Sequence, residues 1–157
     1  TAMLFALGML FTFPIGGITG VMFASVPFDI HTHDTYFVVA HIHYLLFGGS
    51  VMTVFAGVYF WYPKVFGRMV NERLGKLHFW STFVFSNATF FPMHWLGLEG
   101  MPRRVADYDP VYENWNLFIT ISAFCLGAGM LIFVYNMIHS ARHGAIAGDN
   151  PWGAMTL

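Results

Sequence analysis

Four stretches of the chain carry no Asp, Glu, Lys or Arg: residues 1–28, 35–63, 77–98 and 114–141. The charged positions crowd into the connections between them, so polar residues punctuate the chain rather than alternate along it. Each stretch meets the need for about 20 apolar residues to cross a ~30 Å hydrocarbon core as an α-helix. Helices of this length exceed the roughly 11–12 residues usual in soluble domains, so a large soluble protein burying all four is the less favoured arrangement. The pattern predicts helices over about 2–24, 36–62, 77–95 and 115–138: an all-α integral membrane fold with four transmembrane helices. Pro27 helps to end the first helix, while Pro14 and Pro92 fall inside helices and predict kinks whose freed carbonyls need other partners. Gly16 with Gly20, and Gly49 with Thr53 and Gly57, are small residues one turn apart that let helices approach closely.

Composition agrees with a lipid environment. Of 157 residues, 57% are hydrophobic, 19% aromatic and 10% charged, against roughly 25% charged in an average soluble domain. A formal net charge of −1 gives no polyelectrolyte signal, so nucleic acid is not an expected partner. Cys125 is the single cysteine; no internal disulfide is possible, and a small packing residue is the expected role. The first stretch lacks the basic leader of a signal peptide. A chain that begins at Thr1 without methionine is expected to be processed, truncated or the later part of a longer polypeptide.

The connections set orientation. Lys64, Arg68, Arg73 and Lys76 lie between the second and third helices and Arg142 in the tail, whereas the other two connections hold only Arg103 and Arg104. By the positive-inside rule the middle connection and the tail face the cytoplasm or matrix. The first and third connections, with Asp29, Asp34, Glu99, Asp107, Asp109 and Glu113, then face outward, and that acidic face could steer a basic soluble partner.

Chemistry concentrates in residues 31–44, where His31, His33, His41 and His43 fall within thirteen residues. His41 and His43 lie one to two turns inside the second helix, where an ionisable side chain is costly and signals function. Two residues on a helix advance about 200°, so the two imidazoles point to nearly opposite faces and cannot chelate one ion. One imidazole to each side suits two haems, whose iron needs only one or two axial protein ligands; a bare zinc ion would want three or four. The alternative is that both histidines only hydrogen-bond neighbouring helices. His33 and Asp34 make a partial site for a hard divalent ion such as magnesium, or simply a solvated turn. Arg103 and Arg104 follow the third helix on the side from which the second helix enters. Adjacent guanidinium forks suit paired carboxylates such as haem propionates, and would equally meet lipid headgroups.

The runs His33-Asp34-Thr35-Tyr36 through His41-Ile42-His43-Tyr44 and Gly100-Met101-Pro102-Arg103-Arg104 closely resemble the C-terminal third of cytochrome c oxidase subunit I, in the haem-copper oxidase superfamily. The match runs from Gly16-Gly17-Ile18-Thr19-Gly20 through Asn87-Ala88-Thr89-Phe90-Phe91-Pro92 to Trp115, more loosely beyond. The resemblance implies that residues 1–157 are the last four helices of a twelve-helix catalytic core. By that likeness His41 is the proximal ligand of the high-spin, oxygen-binding haem and so the catalytic residue of this segment, and His43 an axial ligand of the low-spin haem. Ile42 lies between the two macrocycles, His33 and Asp34 bind magnesium or manganese near subunit II, and Arg103 and Arg104 pair with haem propionates. Asp29 matches a position near those propionates. Two haems, of the haem a type, and the magnesium or manganese ion are the implied cofactors. The copper partner of the high-spin haem is bound by residues absent from this chain, as are the other low-spin axial histidine and the cross-linked tyrosine.

The implied activity is reduction of dioxygen to water with electrons from cytochrome c, coupled to proton pumping. The implied partners are the remainder of subunit I, subunits II and III, cytochrome c, dioxygen and lipid. The setting is a bacterial cytoplasmic or mitochondrial inner membrane, bacterial favoured. A quinol oxidase of the same superfamily is the nearest rival; some carry His-Asn-Ser at 33–35 and Thr at 102, where this chain has His33-Asp34-Thr35 and Pro102. A membrane transporter or assembly protein using the histidines as a metal relay is the rival from another class.

Overall fold

The computed structural model describes residues 1–153 and 155. Its helices are α1 (Ala2–Phe23), α2 (Val26–Thr32), α3 (Tyr36–Leu45), α4 (Met52–Phe66), α5 (Glu72–Phe90), α6 (Pro92–Leu98) and α7 (Glu113–His143). A π-helical stretch, Leu46–Val51, joins α3 to α4, so that Tyr36–Phe66 is one continuous rod. A 3-10 turn, Pro110–Tyr112, leads into α7.

The first predicted helix is observed nearly as expected, and Pro14 does not interrupt it. The second continues past residue 62 to Phe66, where Gly67 turns left-handed at φ 65° and its N–H bonds to the Pro63 carbonyl. The third begins at Glu72 rather than 77, because the Asn71 side chain accepts hydrogen bonds from Arg73 N and Leu74 N and caps the charged first turn. It breaks at Phe91, since Pro92 has no N–H to continue the ladder. The fourth extends at both ends, to Glu113 and His143; an acidic first turn and a basic last turn suit the helix dipole, so a charge-free run understates the helix. The expected loop at 25–35 instead contains α2, with Pro27 in its first turn, where a missing N–H costs nothing.

Among the described residues three stretches are long and apolar enough to cross a membrane: Ala2–Phe23, Tyr36–Phe66 and Pro110–His143. The fourth expected span does not qualify by composition, because Glu72, Arg73, Lys76, His78, Ser86 and Asn87 lower the hydropathy of α5 and Pro92 divides it from α6.

α5 lies along α7, α1 packs on α3 and α4, and α3 crosses α6. One core surrounds Phe5, Met52, Tyr59, Tyr62 and Phe79. A second surrounds Ala40, Met93, Leu96, Met101 and Ile119, beside the histidine segment. The crossing of α6 over α3 is backbone against backbone at Gly97, where an added Cβ would collide with the Phe37 amide. Of the glycine steps, Gly16 and Gly20 face Leu45 and His41 across the α1–α3 seam and Gly49 faces Phe13, but Gly57 meets Trp61 of its own helix.

The connections gather at two ends. At one, Thr35 pairs with Pro102, Tyr36 N donates to Met101 O and Arg103 N to Asp34 O. At the other, Arg68 pairs with Ile146, and Arg68 NH1 donates to the Gly144 carbonyl.

Candidate functional site

α3 starts at a capped turn: the Thr35 hydroxyl accepts from Phe37 N at 3.2 Å and donates to the Thr32 carbonyl at 2.6 Å. From that anchored start, His41 and His43 fall one turn and nearly two turns into the helix, both half-buried.

The two rings face different neighbours, as the 200° rule requires. The His41 ring turns to α1, with Nδ1 2.9 Å from the Thr19 hydroxyl and the Phe23 ring edge-on at 5.2 Å. The His43 ring turns to α5 and stacks on Phe90 at 4.1 Å, with interplanar angle 15°. His43 Nδ1–H donates to the Val39 carbonyl at 2.8 Å, because a carbonyl can only accept. That fixes the tautomer and leaves the Nε2 lone pair available to a metal. Among the described residues neither ring's Nε2 has a hydrogen-bond partner. Ile42, between them, is exposed at 41%.

His43 also lines a cleft of about 340 Å³ with Tyr36, Val38, Val39, Ile42, Met93, Arg103 and Arg104. The cleft unites one imidazole, an apolar wall and two guanidinium-bearing residues, which fits one edge of a macrocycle carrying carboxylates. At His41 the fit rests on Gly20, where a Cβ would lie 3.1 Å from Cε1 and 3.8 Å from Nε2. A side chain there would press on Cε1 and come into van der Waals contact with Nε2, so glycine leaves that edge of the ring least crowded.

The outer loops bring the remaining predicted residues together in part. Both Arg103 Nε and NH2 donate to Asp34 Oδ1, at 3.1 and 2.6 Å, leaving Oδ2 outside the pair. The Arg103 guanidinium beside Asp34 holds its carboxyl below the usual carboxylate range, first by hydrogen bonding and then by charge, with His33 and Arg104 adding smaller effects. Asp34 and Arg104 adopt left-handed backbones, φ 59° and 63°, a cost that non-glycine residues bear where surrounding contacts demand it. His33 Nδ1 lies 2.9 Å from the Asp29 carbonyl, so Asp29 meets the site through its backbone while its side chain stays exposed on α2. His31 lies apart, exposed on the same helix. Among the described residues no group of three or more His, Cys, Asp or Glu could hold a metal ion.

Thr19, Gly20, Phe23 and Phe90 were not singled out as site residues from sequence, because their roles exist only once α1 and α5 lie against α3. His78 and His94 carried a usable signal, since an ionisable side chain inside a span is itself informative. Both are buried, and the Nε2 of each lacks a protein partner among the described residues.

Known proteins resemble this chain in sequence and in fold. Cytochrome c oxidase subunit 1 of Thermostichus vulcanus is 57% identical over 157 residues, covering 100% of this chain and 28% of that protein. The subunit of the same name from Synechocystis is 59% identical with the same coverage. A probable cytochrome c oxidase subunit 1-beta of Nocardia farcinica is 54% identical over 98% of this chain and 27% of its own length. The chain thus spans little more than a quarter of these curated relatives. A solved structure of a heme-copper terminal oxidase dimer superposes with TM-score 0.82 at 22% identity, over 92% of this chain and 27% of that one, which establishes a shared fold. The bacterial relatives and the three membrane-capable helices mark an integral membrane protein. The family model described as cytochrome c and quinol oxidase polypeptide I matches residues 1–135, and the chain belongs to that family.

Proposed function

We propose that this segment supplies one axial ligand to each of two haems in a terminal oxidase, His41 to the high-spin, oxygen-binding haem and His43 to the low-spin haem. One observation carries the reading: the imidazoles leave α3 on opposite sides, each with Nδ1 engaged by its own protein partner and Nε2 unengaged. Haem bound there would supply the redox chemistry. The chain's part is to hold each ring, fix its tautomer and balance charge.

Arg103 and Arg104, on the rim of the His43 cleft, hold the propionates, with Asp29 on the neighbouring helix. Asp34 Oδ2 and the His33 ring offer two ligands to magnesium or manganese, whose octahedral shell needs water and another chain to complete it. The whole enzyme reduces dioxygen to water, takes electrons from cytochrome c and pumps protons across a bacterial cytoplasmic membrane. It needs the rest of subunit I, which brings the copper ligands, together with subunits II and III. The names of the relatives and the Asp34 and Pro102 positions favour cytochrome c as donor; a quinol is the second reading, since the family description covers both.

The pairing of the ends supports a reading with four crossings rather than three. Asp34 meets Arg103 at one end of the Tyr36–Phe66 rod and Arg68 meets the Gly144 carbonyl at the other, as expected if α5 and α6 together run the length of that rod. At 1.5 Å per residue, Glu72–Leu98 is about 40 Å long, enough for the crossing.

In the complete oxidase, His43→Ala is expected to remove the low-spin haem bands, while His41→Ala abolishes carbon monoxide binding by the reduced enzyme. Identical difference spectra from the two variants would overturn the separate assignment.

A further inference from the structure

The last turns of α7 carry a ladder of rings four residues apart: Tyr135, His139 and His143. Neighbouring rings have centroids 5.6 and 5.1 Å apart, with interplanar angles of 32° and 31°. Residues four apart share one flank of a helix, with Cβ atoms about 5–6 Å apart. The two imidazoles are no farther apart than that, so they leave the helix together and in similar orientations. The side of α7 that meets the start of α5 is already engaged, because Asn136 donates to the Asn71 carbonyl and the Ser140 hydroxyl accepts from Asn71 N. His139 is half-buried and His143 exposed, and among the described residues neither ring has a hydrogen-bond partner.

We infer that His139 and His143 form a chelating pair for a divalent transition-metal ion of the zinc, nickel or copper(II) class at the C-terminus of α7. Spacing sets this pair apart from the one in α3: His41 and His43 are two residues apart and diverge, whereas His139 and His143 are four apart and converge. Metal–nitrogen bonds of ~2.0–2.1 Å need the two ring nitrogens within about 4 Å of each other. Rings with centroids at 5.1 Å reach that by small rotations about their side-chain torsions. Imidazole suits this class of metal, whereas magnesium and calcium take carboxylate and carbonyl oxygen. The position also favours a cation, because the unpaired carbonyls of a helix C-terminus are the negative end of its dipole. Arg142 opposes this, but it is exposed and water screens its charge. Two protein ligands leave the remaining coordination positions to water. An ion bound across one turn favours the folded turn over the frayed one, and this turn leads directly to Gly144, whose carbonyl accepts from Arg68.

The test is zinc protection in the complete assembled oxidase, read residue by residue. Diethylpyrocarbonate modifies imidazole nitrogens, and peptide mass spectrometry gives the rate at His139 and at His143 separately. Zinc chloride is expected to slow both by about tenfold once it exceeds its Kd by that factor, and magnesium chloride at the same concentration to slow neither. In His143→Ala that zinc concentration should leave His139 unprotected, and in His139→Ala it should leave His143 unprotected, with parental haem spectra in both. If His139→Ala, at the half-buried position, does not assemble, His143→Ala at the exposed one carries the test alone. Protection that persists in a single variant means that each imidazole binds zinc by itself, which overturns chelation. Equal protection by magnesium, or rates in the parent that zinc leaves unchanged, overturns the metal site. Histidines that resist modification before zinc is added are covered in the assembly, and that result overturns it as well.

Discussion

The Asp34 carboxylate is held by a guanidinium 69 residues away in sequence. No local pattern announces that partnership, whereas the opposed faces of His41 and His43 follow from helical geometry alone. The difference is physical: a helix fixes relations between residues two apart, while the Asp34–Arg103 and His41–Thr19 pairs wait on how separate segments come together. Because the folded pKa of Asp34 is depressed, its pairing contributes above the ordinary carboxylate pKa and is lost only as pH falls through the lowered folded value. Arg103→Gln is therefore expected to raise the Asp34 pKa, read as a carboxyl band in infrared difference titration that appears at higher pH. An unchanged titration would mean that Arg103 does not hold Asp34 in solution. The arginines also act on the proposed haems. Fixed cations beside propionates disfavour the oxidised, more positive iron, so Arg104→Gln should lower a haem reduction potential and Arg104→Lys should fall between it and the parent, since lysine keeps charge but loses the fork. Spectroelectrochemical titration of the assembled enzyme checks this; parental potentials and full haem content in Arg104→Gln would return Arg104 to a lipid anchor.

Helices were legible as charge-free runs, and their ends were not. The terminal turns of α5 and α7 accept Glu72, Glu113, Arg142 and His143 because these suit the dipole, so a boundary drawn at the first charge falls short. The π-helical stretch around Gly48 and Gly49 left no mark on the hydrophobic pattern, since it keeps the rod intact and shifts only the hydrogen-bond ladder. Proline marked Pro92 as a kink, and there the structure has a break between α5 and α6; the same signal at Pro14 meets an α1 that runs on without interruption. Of the glycines, the one with least room for a side chain is one that no pattern singles out: Gly97 in α6, against the Phe37 amide at the start of α3. A methyl group there meets backbone, which cannot swing aside as a side chain can. Gly97→Ala is expected to cost at least the ~1–3 kcal/mol typical of overpacking, and to do so beside the helix that carries His41 and His43. Thermal denaturation in detergent and haem content per protein should fall together. A variant with parental stability would show that α6 and α3 separate more freely than the crossing implies. Asn71→Ala tests a cap instead: a loss of about 1 kcal/mol is expected from the start of α5, at the end away from His41 and His43, with haem spectra intact.

At the scale of the molecule, the charges in the connections and the contacts at the two ends make the same statement independently. Lys64, Arg68, Arg73 and Lys76 mark one side by the positive-inside rule, and the Arg68 guanidinium there reaches the Gly144 carbonyl after the end of α7. Asp34 and Arg103 close the opposite end. The proposed four-crossing arrangement accords with both, whereas a three-crossing one would leave α5 and α6 on one side and pull Arg103 away from Asp34. Only 17% of the apolar window of α7 is buried within this chain, so lipid or the rest of the subunit must cover the remainder. That uncovered surface also explains why the fold class was legible from composition while the helix packing was not: without a polar outer face, amphipathic periodicity has nothing to report. Single cysteines placed in a Cys125→Ala background of the complete oxidase decide the topology. In spheroplasts a membrane-impermeant maleimide should label Asp107→Cys, in the outer connection, and should reach Arg73→Cys, at the capped start of α5, only after lysis. Lys64, Arg68 and Lys76 remain in the second variant to preserve the orientation signal. Labelling of both cysteines in intact spheroplasts would place the two connections on one side, and α5 with α6 would then not cross.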